Sequence, residues 1–258
     1  MRNWPAILID ARTIVLPKPG SCGQDAAHPR GRFLRRVRCF RSAVADGATA
    51  GLCCGPWAEE VVRAYCRGGL PQRHLGPTLR RLRRPWLHYA RRRATDWYLR
   101  AALRQGAGCT LAGLTVRPAA DHEDDDPGRW SALIVGDAAL FQVRGRELIT
   151  RLPFARSDQF SNLPPLLRTD PAPGAQAIPR RHRGSWRDRD RFYLVTDALA
   201  WWFLADMEAG GSPWVVLDAL VGEPDRFAAW SDRQRRAGTL PVDDIPLTRI
   251  LVRSSSCP

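Results

Sequence analysis

The 258-residue sequence is nearly without lysine: Lys18 is the only one, so arginine supplies 39 of the 40 Lys and Arg residues. Asparagine occurs only at Asn3 and Asn162, and methionine only twice. A surface selected for nucleic acid normally mixes both cations. So one-sided a choice fits a GC-rich coding background better, since that background favours Arg, Ala, Gly and Pro codons. No apolar run approaches the ~18 residues of a membrane span. The early stretch AILID is too short for the apolar region of a signal peptide, and Asp10 and Arg12 interrupt it. The expectation is a cytoplasmic protein with no membrane partner. The seven cysteines (22, 39, 53, 54, 66, 109 and 257) form no CxxC pair and no zinc-type Cys/His spacing, and are read as free thiols. The five histidines (28, 74, 88, 122 and 182) have neither i,i+4 nor triad-like spacing and are read as structural or exposed. No GxSxG, P-loop or GxGxxG motif occurs, and no aromatic RNA-binding signature.

What is present is a core. Hydrophobic residues make up 44% of the chain and tryptophans number ten, which excludes a disordered tail, a collagen-like chain and a disulfide miniprotein. The net charge of +14 attracts anions: nucleic acid, acidic lipid or phosphoprotein. The arginine runs at 30–41, 80–93 and 180–191 are read as solvated faces that could steer an acidic, phosphorylated substrate.

Hydrophobic periodicity orders the chain. Residues 6–18 read as strand and 19–35 as loop. A strand in 37–52 stops at Asp46-Gly47. Helices follow over 57–67 and from about 77 to 104, the second broken near Pro85. Strands follow at 108–116 and, as a meander, at 130–150, separated by the solvated loop DHEDDDPG. Residues 161–190 read as irregular. A strand runs into a helix over 190–207, two helices cover 212–221 and 224–237, and a last strand spans 245–252. Trp201, Trp202, Trp214 and Trp230 lie in helical stretches and are read as core. Strands and helices are segregated, so the class is α+β. The last strand has no local partner and must return to earlier strands, which makes residues 1–258 a single domain.

The aspartates carry the chemical signal. Asp46 ends SAVAD before Gly47, Asp137 ends ALIVGD, and Asp197 ends FYLVTD. Asp243-Asp244 precede the last strand, and Asp25 lies in the first Gly-rich loop. One Asp-Gly is most often a turn, and one Asp before a helix most often an N-cap. As a set, gathered on one sheet edge, they would make an oxygen-rich site for a hard cation, Mg²⁺ or Mn²⁺, rather than zinc. Two such ions can hold a hydroxide for in-line attack on a phosphate ester.

Seven segments in order then resemble the bacterial metal-dependent type 2C serine/threonine protein phosphatases: KPGSCGQDA (18–26), AVADGATAGLCCGPWAEEVV (43–62), WYLRAALRQGAGCTLAGLTV (97–116), WSALIVGDAALFQVRGRELI (130–149), FSNLPPLL (160–167), DRFYLVTDALAWWFL (190–204) and RRAGTLPVDDIPLTRILV (235–252). The resemblance implies a four-layer αββα sandwich, two antiparallel sheets flanked by helix pairs, with two metal ions at one end. It implies that Asp46 bridges both metals and that the Gly47 carbonyl binds one of them. Asp197 and Asp243 would hold the other, Asp25 would act through metal-bound water, and Asp137 would serve a third, weaker ion with Asp197. The implied activity is Mn²⁺- or Mg²⁺-dependent hydrolysis of phosphoserine and phosphothreonine in proteins by a metal-bridging hydroxide, opposed by a serine/threonine kinase. The chain departs from the family at Gln24, where an acid often stands. It also departs at Ala48, where many eukaryotic members have a histidine, and at Asp244, often Asn. Lys18 is nearest to the place of a phosphate-binding arginine. These departures motivate an alternative, a weak or inactive phosphatase-like domain that binds phosphoprotein or regulates a partner. A nucleic-acid binder, motivated by charge alone, is disfavoured.

Overall fold

The computed structural model describes residues 6–20, 23–48, 51–70, 75–119, 127–161, 163–169 and 176–254. The expectations placed on Cys22, Cys257, His74, His122 and most of the DHEDDDP loop lie outside these residues. A six-stranded antiparallel sheet contains β1 (Ile7–Leu16), β3 (Gly31–Val37), β8 (Ala139–Arg144), β9 (Glu147–Leu152), β12 (Arg191–Val195) and β13 (Ile245–Ser254), in the order β3-β1-β13-β12-β8-β9. A five-stranded sheet contains β2 (Ala26–His28), β4 (Phe40–Ala45), β6 (Leu111–Pro118), β7 (Gly128–Val135) and β11 (Arg180–Trp186), in the order β11-β7-β6-β4-β2. A two-residue ribbon pairs β5 (Gly108–Cys109) with β10 (Leu167–Arg168).

The two sheets face each other across an apolar layer that includes Ile9, Val44, Leu114, Ile134, Phe192 and Ile250. Strand alternation places these side chains inward, and period-2 partners on the outer faces meet helices. On the five-stranded side lie α1 (Cys54–Cys66), α2 (Leu75–Arg91) and α3 (Trp97–Gln105). Helix α1 buries Trp57, Ala58, Val61, Val62 and Tyr65, one stripe at helical spacing. On the six-stranded side lie α4 (Asp197–Glu208), α5 (Pro213–Leu220) and α6 (Pro224–Arg236). Trp202 packs edge-on against Trp230, and Phe203 stacks on Phe141 at 4.0 Å. The four-layer αββα order expected from sequence is the order found, with three helices rather than a pair in each outer layer.

Three expectations are corrected. Pro85 does not break α2, which runs through it and ends at Arg91. Packing holds the helix: Trp86 is buried and donates its indole N–H to the Cys53 carbonyl at 3.1 Å. The supposed loop 19–35 contains β2 and most of β3, and the supposedly irregular 161–190 contains β10 and β11. Strands β3 and β11 are edge strands, largely exposed and arginine-rich, so they carry little apolar alternation. As expected, β13 returns to the body of the molecule and pairs with both β1 and β12. No helix among the described residues is long and apolar enough to cross a membrane.

Candidate metal centre

Strand registers bring the chosen aspartates to one end of the sandwich. In the six-stranded sheet the end of β1 pairs with the start of β13 (Leu16↔Ile245). The end of β12 meets the start of both β13 (Val195↔Leu247) and β8 (Val195↔Ala139). In the five-stranded sheet the start of β2 pairs with the end of β4 (Ala26↔Ala45), and the start of β6 pairs with the ends of β4 and β7. Lys18, Asp25, Asp46, Asp137, Asp197 and Asp243-Asp244 each sit just beyond one of these strand ends, so all lie on the same edge.

Their electrostatics agree. Burial first, and then the charge of Asp46, raise the Asp25 carboxyl well above the ordinary range. Burial raises Asp46 and the hydrogen-bonding Asp25 carboxyl lowers it, while the charges of Asp243 and Asp244 raise it further against the opposing charge of Lys18. Burial and then Asp197 push Asp137 up to about 7, and burial and then Asp46 push Asp197 up to about 6. Buried carboxylates whose pKa values are raised by neighbouring carboxylates are short of positive charge.

The contrast with Asp190 is informative. That side chain is fully buried but satisfied: Arg144 and the Gln142 amide each donate to it at 2.8 Å, and the Arg187 backbone N–H at 2.9 Å. Asp25 Oδ1 and Asp137 Oδ1 are buried with no hydrogen-bond partner among the described residues. An unpaired buried carboxylate oxygen is costly, and a cation is the natural complement. The donors are all oxygen, which suits Mg²⁺ or Mn²⁺. Among the described residues, however, no three His, Cys, Asp or Glu side chains form a group that could hold a metal ion as they stand. Several are engaged elsewhere. Thr196 donates its hydroxyl to Asp25 Oδ2 at 2.9 Å, and Asp243 Oδ1 faces Lys18 Nζ at 3.4 Å and accepts the Asp244 N–H at 2.8 Å. The donor chemistry therefore fits a hard cation.

Two glycines shape the edge. A Cβ on Gly47 would stand 2.6 Å from the Gln24 carbonyl oxygen and 2.8 Å from the Cys54 carbonyl carbon, so the Asp46-Gly47 turn fits only without a side chain. Gly136, which aims Asp137, has φ +73°, and a Cβ there would stand 2.8 Å from the Pro165 carbonyl oxygen.

Four supporting residues complete the edge, of which the sequence reading singles out only Asp244, as part of the aspartate set. Asp244 accepts backbone N–H groups from Lys18 at 2.7 Å, from Gln24, and from Asp25 at 3.3 Å, so it pins the first loop while its charge still acts on Asp25 and Asp46. Arg235 donates to the Asp243 carbonyl at 2.6 Å from α6. Thr110 accepts the Asp46 N–H at 3.2 Å and returns its own N–H to the Asp46 carbonyl at 2.9 Å. Thr196 holds Asp25. Of the other three, only Thr196 had a local signal, a hydroxyl at the very end of an apolar strand beside an aspartate. Lys18 is no ordinary surface residue. Partial burial works against its charge, but Asp243, Asp244 and Asp46 outweigh that and raise its pKa. Cys39, Cys53, Cys54, Cys66 and Cys109 are free thiols.

Two antiparallel sheets face to face with helices on both outer faces make the fold of the type 2C serine/threonine phosphatases. Solved structures bear this out. The catalytic domain of the serine/threonine protein phosphatase PstP, solved with two manganese ions, is similar with a TM-score of 0.58 and 16% identity, over 96% of this chain and 100% of that one. A bacterial serine phosphatase is similar at 0.58 and 12% identity, over 96% and 99%. The S. agalactiae serine/threonine phosphatase is similar at 0.52 and 12% identity, over 94% and 98%. Identities this low establish the fold alone. No protein-family model and no curated protein matches the chain.

Proposed function

We propose that the chain, as a single domain, is a Mn²⁺- or Mg²⁺-dependent phosphatase acting on phosphoserine and phosphothreonine in proteins. Its opposing partner would be a serine/threonine kinase, and its place of work the cytoplasm. The observation that carries this reading is the gathering, from both sheets, of buried aspartates whose pKa values are raised and which leave oxygens without partners among the described residues. Asp46, the Gly47 carbonyl, Asp197 and Asp243 would hold two divalent ions, with Asp137 serving a third, weaker one beside Asp197. When bound, such ions acidify water and neutralise the charge on a phosphate ester.

The chain's own groups would do the rest. Asp25, held at Oδ2 by Thr196, would take a proton from the attacking water. Lys18 supplies positive charge beside Asp243 for an incoming phosphoryl group. Asp244 and Arg235 act through others, fixing the Lys18–Asp25 loop and the Asp243 backbone. Ala48 offers no general acid, so the leaving alkoxide would take its proton from solvent.

The test is hydrolysis of a phosphothreonine peptide and of p-nitrophenyl phosphate with manganese or with EDTA. The wild type should turn over only with manganese, and Asp46→Asn should lose about a hundredfold or more. Equal turnover by Asp46→Asn would refute the metal reading. No turnover by the wild type, with no manganese bound in calorimetry, would make the chain a binding module.

A further inference from the structure

At the opposite end of the five-stranded sheet from the aspartates lies a cavity of about 770 Å³. Five of its lining residues are arginines: Arg41, Arg117, Arg129, Arg181 and Arg183. Among the described residues none of those lining it is an aspartate or glutamate. The registers explain the convergence. Arg41 on β4, Thr115 on β6, Ser131 on β7 and Arg183 on β11 stand directly opposite one another across four strands. In the next row outward Arg117 stands directly opposite Arg129, with Ser185 beyond. Side chains in such rows share one face, with Cβ atoms about 4.5–5.5 Å apart. The wall is completed by Tyr65 near the end of α1, whose hydroxyl meets Thr115 Oγ1 at 3.0 Å. Burial raises the Tyr65 phenol far above its ordinary range, while the hydrogen bond to Thr115 and the charges of Arg41 and Arg181 pull the other way, so both guanidinium groups bear on that ring. Gly68, just past α1, leaves room for the Arg41 guanidinium, which would lie 3.2 Å from a Cβ there.

The arginine runs were expected to be solvated faces. Arg41 belongs to the run at 30–41, and Arg181 and Arg183 to the run at 180–191, yet all three line one concavity. Guanidinium forks match phosphate oxygens bidentately, and the hydroxyls of Thr115, Ser131 and Ser185 add neutral donors. The volume falls within the usual ~300–1,000 Å³ of small-ligand sites. We propose that this cavity is a second anion site, distinct from the aspartate edge, that binds a small, multiply phosphorylated molecule. Arg41 and Asp46 belong to one strand and its exit, five residues apart, so the two sites are separated by roughly 17 Å along β4.

The test uses inorganic tripolyphosphate as probe and isothermal calorimetry on the full chain in EDTA. Without divalent ions the aspartate edge repels anions, so its failure as an enzyme would not affect the result. Saturable, one-site binding is expected. Arg117→Ser and Arg183→Ser alter exposed side chains and should each weaken it about tenfold or more. Arg80→Ser/Arg84→Ser on α2, outside the cavity, should leave it unchanged. Circular dichroism and thermal melts establish that each variant is folded. The same probe should raise the wild-type Tm more than that of Arg183→Ser. Absence of binding at millimolar tripolyphosphate, or equal loss in the α2 variant, would overturn the site. A singly phosphorylated peptide binding more tightly than tripolyphosphate would overturn the ligand class. Binding that emerges only after Asp124, Asp125 and Asp126 are changed to serine would make the chain's own acidic segment the occupant and overturn the proposal.

Discussion

Replacing Asp197 with asparagine should stabilise the cation-free protein, and do so more strongly as pH rises. The Asp197 carboxyl starts from 3.8 and is raised to about 6, first by burial and then by the charge of Asp46. A carboxyl whose folded pKa is raised binds a proton in the folded state that the unfolded chain has already released. Stability is therefore lost as pH climbs through that window and stays lost above it. A shift of about two units corresponds to about 3 kcal/mol once both states are ionised, near pH 8, and to about 1 kcal/mol near pH 4.5. Asparagine keeps the size and the acceptor oxygen that takes the Ala198 N–H at 2.7 Å, but removes the charge. Urea unfolding in EDTA should show Asp197→Asn gaining about 3 kcal/mol over wild type near pH 8 and about 1 kcal/mol near pH 4.5. Saturating manganese should reverse the order, because only the wild type keeps this ligand and gains by mass action. An equal gain at both pH values, or destabilisation near pH 8, would refute the reasoning.

Asp244→Ala removes the acceptor for three backbone N–H groups in a buried position, and should cost about 3 kcal/mol or more in urea unfolding, with faster hydrogen exchange at Gln24 and Asp25. Wild-type exchange at those amides would contradict the pinning role. Lys18→Met removes the ammonium that faces Asp243 at 3.4 Å, and should raise manganese affinity several-fold in calorimetry, about threefold to tenfold. The same variant should raise KM for the phosphopeptide. An unchanged affinity would mean that the ion pair does not compete with the cation.

The aspartate edge was legible because each apolar strand stops at its aspartate: SAVAD, ALIVGD and FYLVTD end in hydrophobic runs that a sheet must bury. Their common edge followed once an antiparallel pairing was assumed. The parts that were not legible share a cause. GRFLRRV and RRHRGSW are edge strands held by one neighbour each, so their positions are set by backbone pairing rather than by buried side chains. Pro85 weakens a helix locally, but the Trp86 and Ala90 packing beside it is tertiary and cannot be weighed from local pattern. Asp244 and Asp243 are adjacent acids in the sequence. Only the fold shows which of them binds the first loop's backbone and which pairs with Lys18. The arginine cavity was read as scattered solvated charge because its residues come from four strands, and register alone assembles them.

The central claim, that the aspartate edge is a divalent-cation site, is tested most directly by manganese anomalous diffraction from crystals grown or soaked with the ion. The account predicts anomalous density within coordination distance of Asp46 and Asp197, with their side chains and Asp243 turned toward it and Asp244 still bonded to the first loop. Crystals saturated with manganese but without density at that edge would contradict it.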